Sequence, residues 1–177
     1  MRPDLHFIMV GPVLKIDPAS LPKAANVHYL GGKSYRELPA YLGGWDVAML
    51  PFAHNESTRF ISPTKTPEYL AAGLPVVSTS ITDVVRPYGV QKLVRIADTA
   101  SEFVKAIDLC ITNEVSDAGW LQRVDAALAQ NSWDLTFKKM QRVVENRIAI
   151  NDAAEATFAA HHTKGFRRLS CCKVHYV

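Results

Sequence analysis

The sequence has few cysteines and no long apolar run. Three cysteines among 177 residues, two of them adjacent, do not make a disulfide framework. No apolar stretch approaches the roughly 20 residues that span a bilayer. The chain is expected to enter a strand almost at once, which leaves no room for a signal peptide. These absences favour a reduced, cytoplasmic setting.

Charge of one sign is also scarce. The formal net charge is +3, and no long basic run with interleaved aromatics precedes the last fifteen residues, which argues against nucleic-acid binding. Hydrophobic residues make up 48% of the chain, enough to bury a core of one domain. We therefore expect one domain over residues 1–162, followed by an irregular basic tail over residues 163–177.

The tail carries the only concentration of metal-binding residue types. His161 and His162 adjoin near its start, and Cys171 and Cys172 adjoin within it. Their spacing matches no zinc pattern. Disorder, or a stretch translated in an altered reading frame, explains the tail better, and we expect no metal site.

Five short apolar runs have the composition of buried parallel strands. Each is nearly continuous in hydrophobicity, which is typical of strands covered on both faces. They lie at residues 5–10, 27–30, 47–50, 75–78 and 93–96. Because helical segments separate several of them, the pattern predicts an α/β fold with a doubly wound, Rossmann-like parallel sheet.

Capping signals and apolar spacing mark the helical segments. A Ser-x-x-Glu box, Ser34 and Glu37, predicts the start of one helix, and Ser132 is expected to cap the last. The predicted helices are 34–42, 66–72, 101–112, 117–130 and 132–161, with a further turn at 83–87. The last three follow the final strand and predict a C-terminal helical extension.

The most informative segment is 62–79, Ser-Pro-Thr-Lys-Thr-Pro-Glu-Tyr-Leu-Ala-Ala-Gly-Leu-Pro-Val-Val-Ser-Thr. It predicts a short helix that Thr66 caps and Gly73 ends, followed by a buried strand. Free amides at the helix start and the cation Lys65 favour a diphosphate, and Glu68 can accept hydrogen bonds from a ribose diol. The segment therefore predicts a nucleotide-sugar site.

Four segments resemble the C-terminal, donor-binding half of GT-B-fold glycosyltransferases of the retaining group 1 kind. They are 7–12, 26–31 with Glu37-Leu38-Pro39, 45–51 and 67–77. The last is the specific one, since it is similar to the family motif Glu-Ala-Met-Ala-x-Gly-x-Pro-Val-Val. The resemblance implies half of a GT-B fold and a hexosyltransferase-like activity in polysaccharide biosynthesis. It also implies a UDP- or GDP-linked sugar as substrate, with no separate cofactor.

The resemblance also implies roles for individual residues. Glu68 matches the glutamate that binds the donor ribose, and Lys65 would hold the leaving diphosphate. The family's other glutamate is replaced by Phe60, so Glu56 is the candidate for its role; Lys65 and Glu56 are the catalytic candidates. The expected donor-binding residues are Gly11, Gly31, Gly32, Tyr35, Asn55, Arg59, Pro63, Thr64, Thr66, Glu68 and Tyr69. Each has a structural alternative, such as an ordinary glycine turn, a charged solvent loop or a first-turn acid.

Three parts of the family pattern are not found in the sequence. They are the strand and helix that normally precede the strand at 5–10, an upstream Arg and Lys that neutralise the leaving diphosphate, and the N-terminal acceptor domain. Since the first strand lies centrally in a doubly wound sheet, we expect a gap with unpaired strand edges. The expected partners are the nucleotide sugar, the missing acceptor domain and a glycan or lipid acceptor of unknown identity. Peripheral association with a membrane stays open.

Two other functions also stay open. The chain could be an inactive fragment or a non-catalytic nucleotide-binding module. It could also be a GT-B nucleotide-sugar epimerase, which would need carboxylates and histidines as acid–base groups in the cleft.

Overall fold

The computed structural model describes residues 2–114 and 118–165. The chain divides into two compact units, Met1–Ala126 and Ala127–Val177. From residue 166 onward the predicted tail lies outside the described residues, and Cys171 and Cys172 lie outside them too.

The first unit contains parallel strands in two sheets. The strands are β1 (Phe7–Val10), β2 (Val27–Gly31), β3 (Ala48–Leu50), β4 (Val76–Ser78) and β5 (Val94–Ile96). β1 pairs with β2, and the second sheet has the order β3-β4-β5, with every pairing parallel. The five predicted strands and the α/β class are thus confirmed, although most strands begin one or two residues later than predicted.

The two sheets are interrupted between β1 and β3. Among the described residues, each of these strands has a hydrogen-bonded strand on one side only. Four apolar side chains from both sides of the interruption, Leu5, Phe7, Val47 and Met49, nevertheless pack against one buried cluster. The members of that cluster are Val77, Ala97, Ala106, Ile107 and Cys110. The predicted gap in the sheet is therefore confirmed, and a shared core lies under it.

Helices connect and cover the strands. Those of the first unit are α1 (Leu38–Leu42), α2 (Lys65–Ala71), α3 (Thr82–Val84), α4 (Ala100–Leu109) and α5 (Ala118–Leu128). A 3₁₀ turn lies at Pro18–Ser20, and π-helical turns follow α3 at Val85–Gly89 and α4 at Cys110–Glu114. The predicted turn at 83–87 and the predicted helices after β5 are confirmed as elements.

Two predicted helix starts were wrong. α1 begins at Leu38 instead of residue 34, because Pro39 has no amide hydrogen and fits only the first turn. The Ser34–Glu37 box forms as a turn, in which the Glu37 carboxylate accepts from the Ser34 amide at 2.8 Å and hydroxyl at 2.6 Å. α2 begins at Lys65 with Thr64 at its N-cap, so Thr66 is not the cap.

The core of the first unit surrounds the β3–β4–β5 sheet. Its least exposed members include Val77, Val84, Leu70, Val124 and Cys110. Trp120 of α5 is 2% exposed, and its ring nitrogen donates to the carbonyl of Leu93 at 3.3 Å. This packing fixes the sheet whose carboxyl edge is considered below.

The second unit contains α6 (Trp133–Gly165), which begins as predicted. The Ser132 hydroxyl accepts from the amide of Leu135 at 3.1 Å, so the predicted cap is confirmed. Several large apolar side chains of α6 are exposed, among them Phe137, Met140, Val143, Val144, Ile148 and Phe158. In the described part of the chain, no helix combines the length and apolar character needed to cross a bilayer.

Candidate functional site

The carboxyl ends of β3 and β4 are joined by hydrogen bonds to one carbonyl. The Leu50 carbonyl accepts from the Thr79 amide at 3.2 Å and from the Thr79 hydroxyl at 3.4 Å. The buried Ser78 hydroxyl approaches the same carbonyl at 3.5 Å. The points at which the chain leaves both strands are thereby fixed. Ligands of parallel α/β sheets bind at this edge.

Lys65 and Glu68 lie on the first turn of α2 and form an ion pair. The Lys65 ammonium donates to the Glu68 carboxylate at 2.8 Å, with side chains 46% and 35% exposed. This hydrogen bond is the main reason why the pKa of Lys65 is raised. The two predicted donor-binding groups thus meet at one partly exposed place, with the cation held in its charged form.

Two tyrosines lie near this ion pair. The pKa of Lys65 is raised mainly by its hydrogen bond to Glu68, with smaller electrostatic contributions from Tyr69 and Tyr35. Tyr69 is half-buried against the edge of Trp45, with ring centroids 6.4 Å apart, and burial raises the pKa of Tyr69. Tyr35 is 76% exposed and follows β2. Tyr69 is thus held by packing against Trp45, whereas Tyr35 is open to solvent after the end of β2.

The residues that lead into α2 are less exposed than the prediction assumed. Thr66 is fully buried, and its hydroxyl oxygen has no hydrogen-bond partner among the residues described. Its amide donates to the Pro63 carbonyl at 3.3 Å. Thr64 is exposed and makes no side-chain capping hydrogen bond. Of the predicted residues Pro63, Thr64 and Thr66, only Thr64 is exposed to solvent.

The loop after β3 satisfies most of its own polar side chains. The Asn55 side chain accepts from the Thr58 amide at 3.1 Å, and the Thr58 hydroxyl accepts from the Asn55 amide at 3.1 Å. Glu56 is 82% exposed and pairs with Arg59 at 3.5 Å. Arg59 also lies 5.1 Å from the ring centroid of the exposed Phe60. The structure therefore gives Asn55, Glu56 and Arg59 partners within the loop itself.

Three predicted glycines follow β1 and β2. The Gly11 amide donates to the Gly31 carbonyl at 2.9 Å, and both residues have positive φ, 140° and 68°. A side chain at either position would be strained by the backbone although it would meet open space. Gly32 lies next to Pro12. The open surface above these glycines leaves the backbone accessible to a planar ligand such as a base.

A second polar group at this edge was missed by the sequence analysis. Asp98, two residues after β5, accepts from the Ser80 amide at 2.8 Å and contacts Nε2 of His54 at 2.9 Å. The Ser80 amide, followed by the His54 ring, lowers the pKa of Asp98. One carboxylate thus links the segments that follow all three strands of the β3–β4–β5 sheet. Each of these residues follows a predicted strand, and that was the available signal.

The capping box of α4 holds Asp98 in place. The Thr99 hydroxyl accepts from the Glu102 amide at 3.3 Å, and the Glu102 carboxylate accepts from the amides of Asp98 and Thr99 at 2.9 and 3.0 Å. These amides are the largest cause of the lowered pKa of Glu102. The backbone on both sides of the Asp98 side chain is therefore fixed.

Comparison with known families assigns the chain to a family. The profile of the family "Glycosyl transferases group 1" matches residues 1–113. The chain belongs to this family. The match includes both sheets up to β5 and every candidate site residue described above.

One curated relative is similar over most of the chain. It is a protein of Bacillus subtilis (strain 168) named "Putative teichuronic acid biosynthesis glycosyltransferase TuaH", and it is 26% identical over 147 residues. The aligned region is 80% of this chain but 36% of the relative. This group 1 family member therefore spans little more than a third of the length of the relative that it matches.

Proposed function

We propose that this chain is the donor-binding half of a retaining glycosyltransferase that uses a UDP- or GDP-linked sugar. The observation that carries the proposal is the Lys65–Glu68 turn at the carboxyl edge of the sheet, in a chain of the group 1 family. Lys65 would hold the diphosphate, and Glu68 would accept hydrogen bonds from the ribose. Tyr35 and the glycines after β1 and β2 would take the base.

Retention needs little from this chain beyond positioning and charge. In the proposed reaction the acceptor oxygen bonds to the anomeric carbon on the face from which the diphosphate leaves. The bond from that carbon to the diphosphate oxygen breaks, and a diphosphate oxygen takes the proton of the acceptor hydroxyl. Lys65, whose pKa is raised, stays cationic and stabilises the charge on the leaving group. The donor half then supplies neither a general base nor a metal ion.

The remainder of the enzyme would come from further polypeptide. The chain spans 36% of its relative, and β1 and β3 each pair on one side only among the described residues. A parallel strand between them and an acceptor domain would complete the molecule. The relative's name supports a role in polysaccharide biosynthesis. A glycan or a lipid would then be the acceptor.

An epimerase acting on the same donor is the second candidate. The hydrogen-bonded His54 and Asp98 favour it, because such an enzyme needs an acid–base group beside the sugar. Analysis of the products formed by the complete enzyme from a nucleotide sugar alone separates the two. An epimerised sugar identifies the epimerase, whereas transfer that requires an acceptor identifies the glycosyltransferase.

Calorimetric titration of the chain with UDP and GDP tests the donor site. We expect one of the two to bind, and Glu68→Ala to weaken that binding about tenfold or more, since a charged acceptor is lost. Glu145→Ala is the control, because Glu145 is an exposed acid of α6 outside the proposed site. If the wild-type chain binds neither nucleotide, or if Glu68→Ala binds as tightly as wild type, the proposed site is wrong.

A further inference from the structure

The His54 ring makes a hydrogen bond through only one of its two nitrogens, among the residues described. Nε2 lies 2.9 Å from Asp98, while Nδ1 has no hydrogen-bond partner within residues 2–114 and 118–165. The side chain is 50% exposed, so the ring is accessible to a ligand. A histidine that is held on one nitrogen and free on the other is oriented for contact.

Asp98 also determines which nitrogen of His54 carries the proton. Its carboxylate is ionised, because the Ser80 amide and the His54 ring lower its pKa. An ionised carboxylate only accepts hydrogen bonds, so Nε2 must be the donor. In the neutral ring Nδ1 is then a lone-pair acceptor, and a hydroxyl group is the partner that such an acceptor takes.

The rest of the β3 loop does not offer an equivalent group. Asn55 is engaged by Thr58, and Glu56 pairs with Arg59 in an exposed position. The loop is held by the Thr58 hydroxyl, which also donates to the Ala53 carbonyl next to His54. His54 is thus the loop's oriented acceptor, on a backbone that its neighbours fix.

We propose that His54 binds a hydroxyl of the transferred sugar through Nδ1, and that Asp98 positions it. His54 lies at the same sheet edge as the start of α2, because both belong to the connection that leaves β3. This inference rests on the proposed donor site, and it assigns to His54 the sugar contact for which Glu56 was the sequence candidate. His54 is then a specificity-determining residue for the donor sugar.

The test compares a nucleotide sugar with its parent nucleotide on the 177-residue chain. The ligand is whichever of UDP-glucose, UDP-N-acetylglucosamine and GDP-mannose binds most tightly, and UDP or GDP is its parent. In His54→Gln the amide NH₂ replaces Nε2 and keeps the bond to Asp98, whereas the Nδ1 acceptor is lost. We expect about three- to tenfold weaker binding of the nucleotide sugar, the effect of one hydrogen bond, and unchanged binding of the parent.

Two further measurements separate contact from a structural role. The melting temperature of His54→Gln should equal that of wild type, and that of His54→Ala should fall. In nitrogen-15 spectra of the imidazole, Nδ1 should shift with the nucleotide sugar and stay in place with the parent. Glu145→Ala, which changes an exposed acid of α6 outside the proposed site, should bind both ligands like wild type.

Several outcomes overturn the inference. If His54→Gln binds the nucleotide sugar as tightly as wild type does, the inference about His54 is wrong, but the proposed donor site is not affected. An equal loss with sugar nucleotide and parent would assign His54 to the diphosphate or to loop structure instead. If the wild-type chain binds neither UDP nor GDP, the proposed function fails and this inference fails with it.

Discussion

The two sheets of the first unit are formed by strands of similar apolar composition, but their side chains are buried to very different extents. In the β3–β4–β5 sheet, Val77 and Ser78 are completely buried and Leu50 is 5% exposed. In the β1–β2 sheet, Met9 is 44% exposed and Leu30 is 39% exposed. Both sets of strands come from nearly continuous apolar runs, which predict cover on both faces. Burial therefore depends on neighbouring elements that the strand's own residues do not encode.

The covering helices account for the difference. The β3–β4–β5 sheet has Leu70 of α2 and Ile107 of α4 against it, 1% and 6% exposed. α1, which follows β2, has five residues, all described, and buries none of them. The proposed site uses both sheets. Lys65 and Glu68 lie on α2, which packs on the well-buried β3–β4–β5 sheet, and Tyr35 follows β2 of the more exposed sheet. Its diphosphate end is thus better fixed than its base end.

A matched pair of leucines tests the comparison with the largest expected effect. Leu50→Ala should lower the free energy of unfolding by about 2–5 kcal/mol, because it leaves a cavity in a packed core. Leu30→Ala should cost less than about 1 kcal/mol, since its side chain already contacts water. Urea denaturation measures both values. Equal losses would show that the two sheets are covered alike.

The base end of the site is tested by Tyr35→Ala. We expect about fivefold weaker binding of the nucleoside diphosphate, at the lower end of the range for base stacking because Tyr35 is so exposed. Tyr35→Phe keeps the ring and should bind like wild type. Isothermal calorimetry distinguishes these values. A similar loss in both variants would mean that the hydroxyl, and not the ring, makes the contact.

Each region also contains a hydroxyl–glutamate pair three residues apart, and only one of the pairs caps a helix. Thr99→Ala should cost about 1 kcal/mol, since the hydroxyl accepts from the α4 amide of Glu102. Ser34→Ala should cost a few tenths of a kcal/mol, because its partner Glu37 lies in an exposed turn before α1. Thermal melting of the two variants orders them. The reverse order would contradict the capping assignment.

The same two glutamates give the smallest effect, on the pH dependence of stability. Contacts with amides or hydroxyls lower the pKa of both Glu102 and Glu37. A lowered pKa in the folded state stabilises it above the unfolded value of about 4.3, and this contribution is lost as pH falls through the folded value. Urea denaturation between neutral pH and pH 3 should show a smaller acid loss in Glu102→Gln than in wild type. Glu37→Gln should reduce the loss of stability at acid pH less than Glu102→Gln does.

The sequence predicted elements better than it predicted their starts and contacts. Apolar runs are local, so all five strands were found, whereas α1 was extended too far because the Ser34–Glu37 box also forms in a turn. Lys65 was predicted just before the helix and Glu68 in its first turn, whereas both residues lie in the first turn of α2. Their mutual ion pair was not predicted, since it depends on which of several partners each side chain selects.

The His54–Asp98 contact shows why the rest could not be predicted. The two residues are 44 positions apart, and they meet only because the strand order β3-β4-β5 brings their loops to one edge. Strand order follows from tertiary packing, which a local pattern does not contain. The rule that ligands gather at the carboxyl ends of parallel strands predicted a site at this edge but not the side chains that pair there.

The central claim is that the turn of Lys65 and Glu68, together with the loop before Tyr35, binds a nucleoside diphosphate. The most direct test is to titrate the nitrogen-15-labelled chain with UDP and with GDP and to measure the chemical shifts of its backbone amides. The account predicts saturable shifts at the amides of Lys65, Thr66 and Glu68 and at Gly32–Tyr35 with one of the two. An absence of shifts there, or shifts confined to residues outside this turn and this loop, would contradict it.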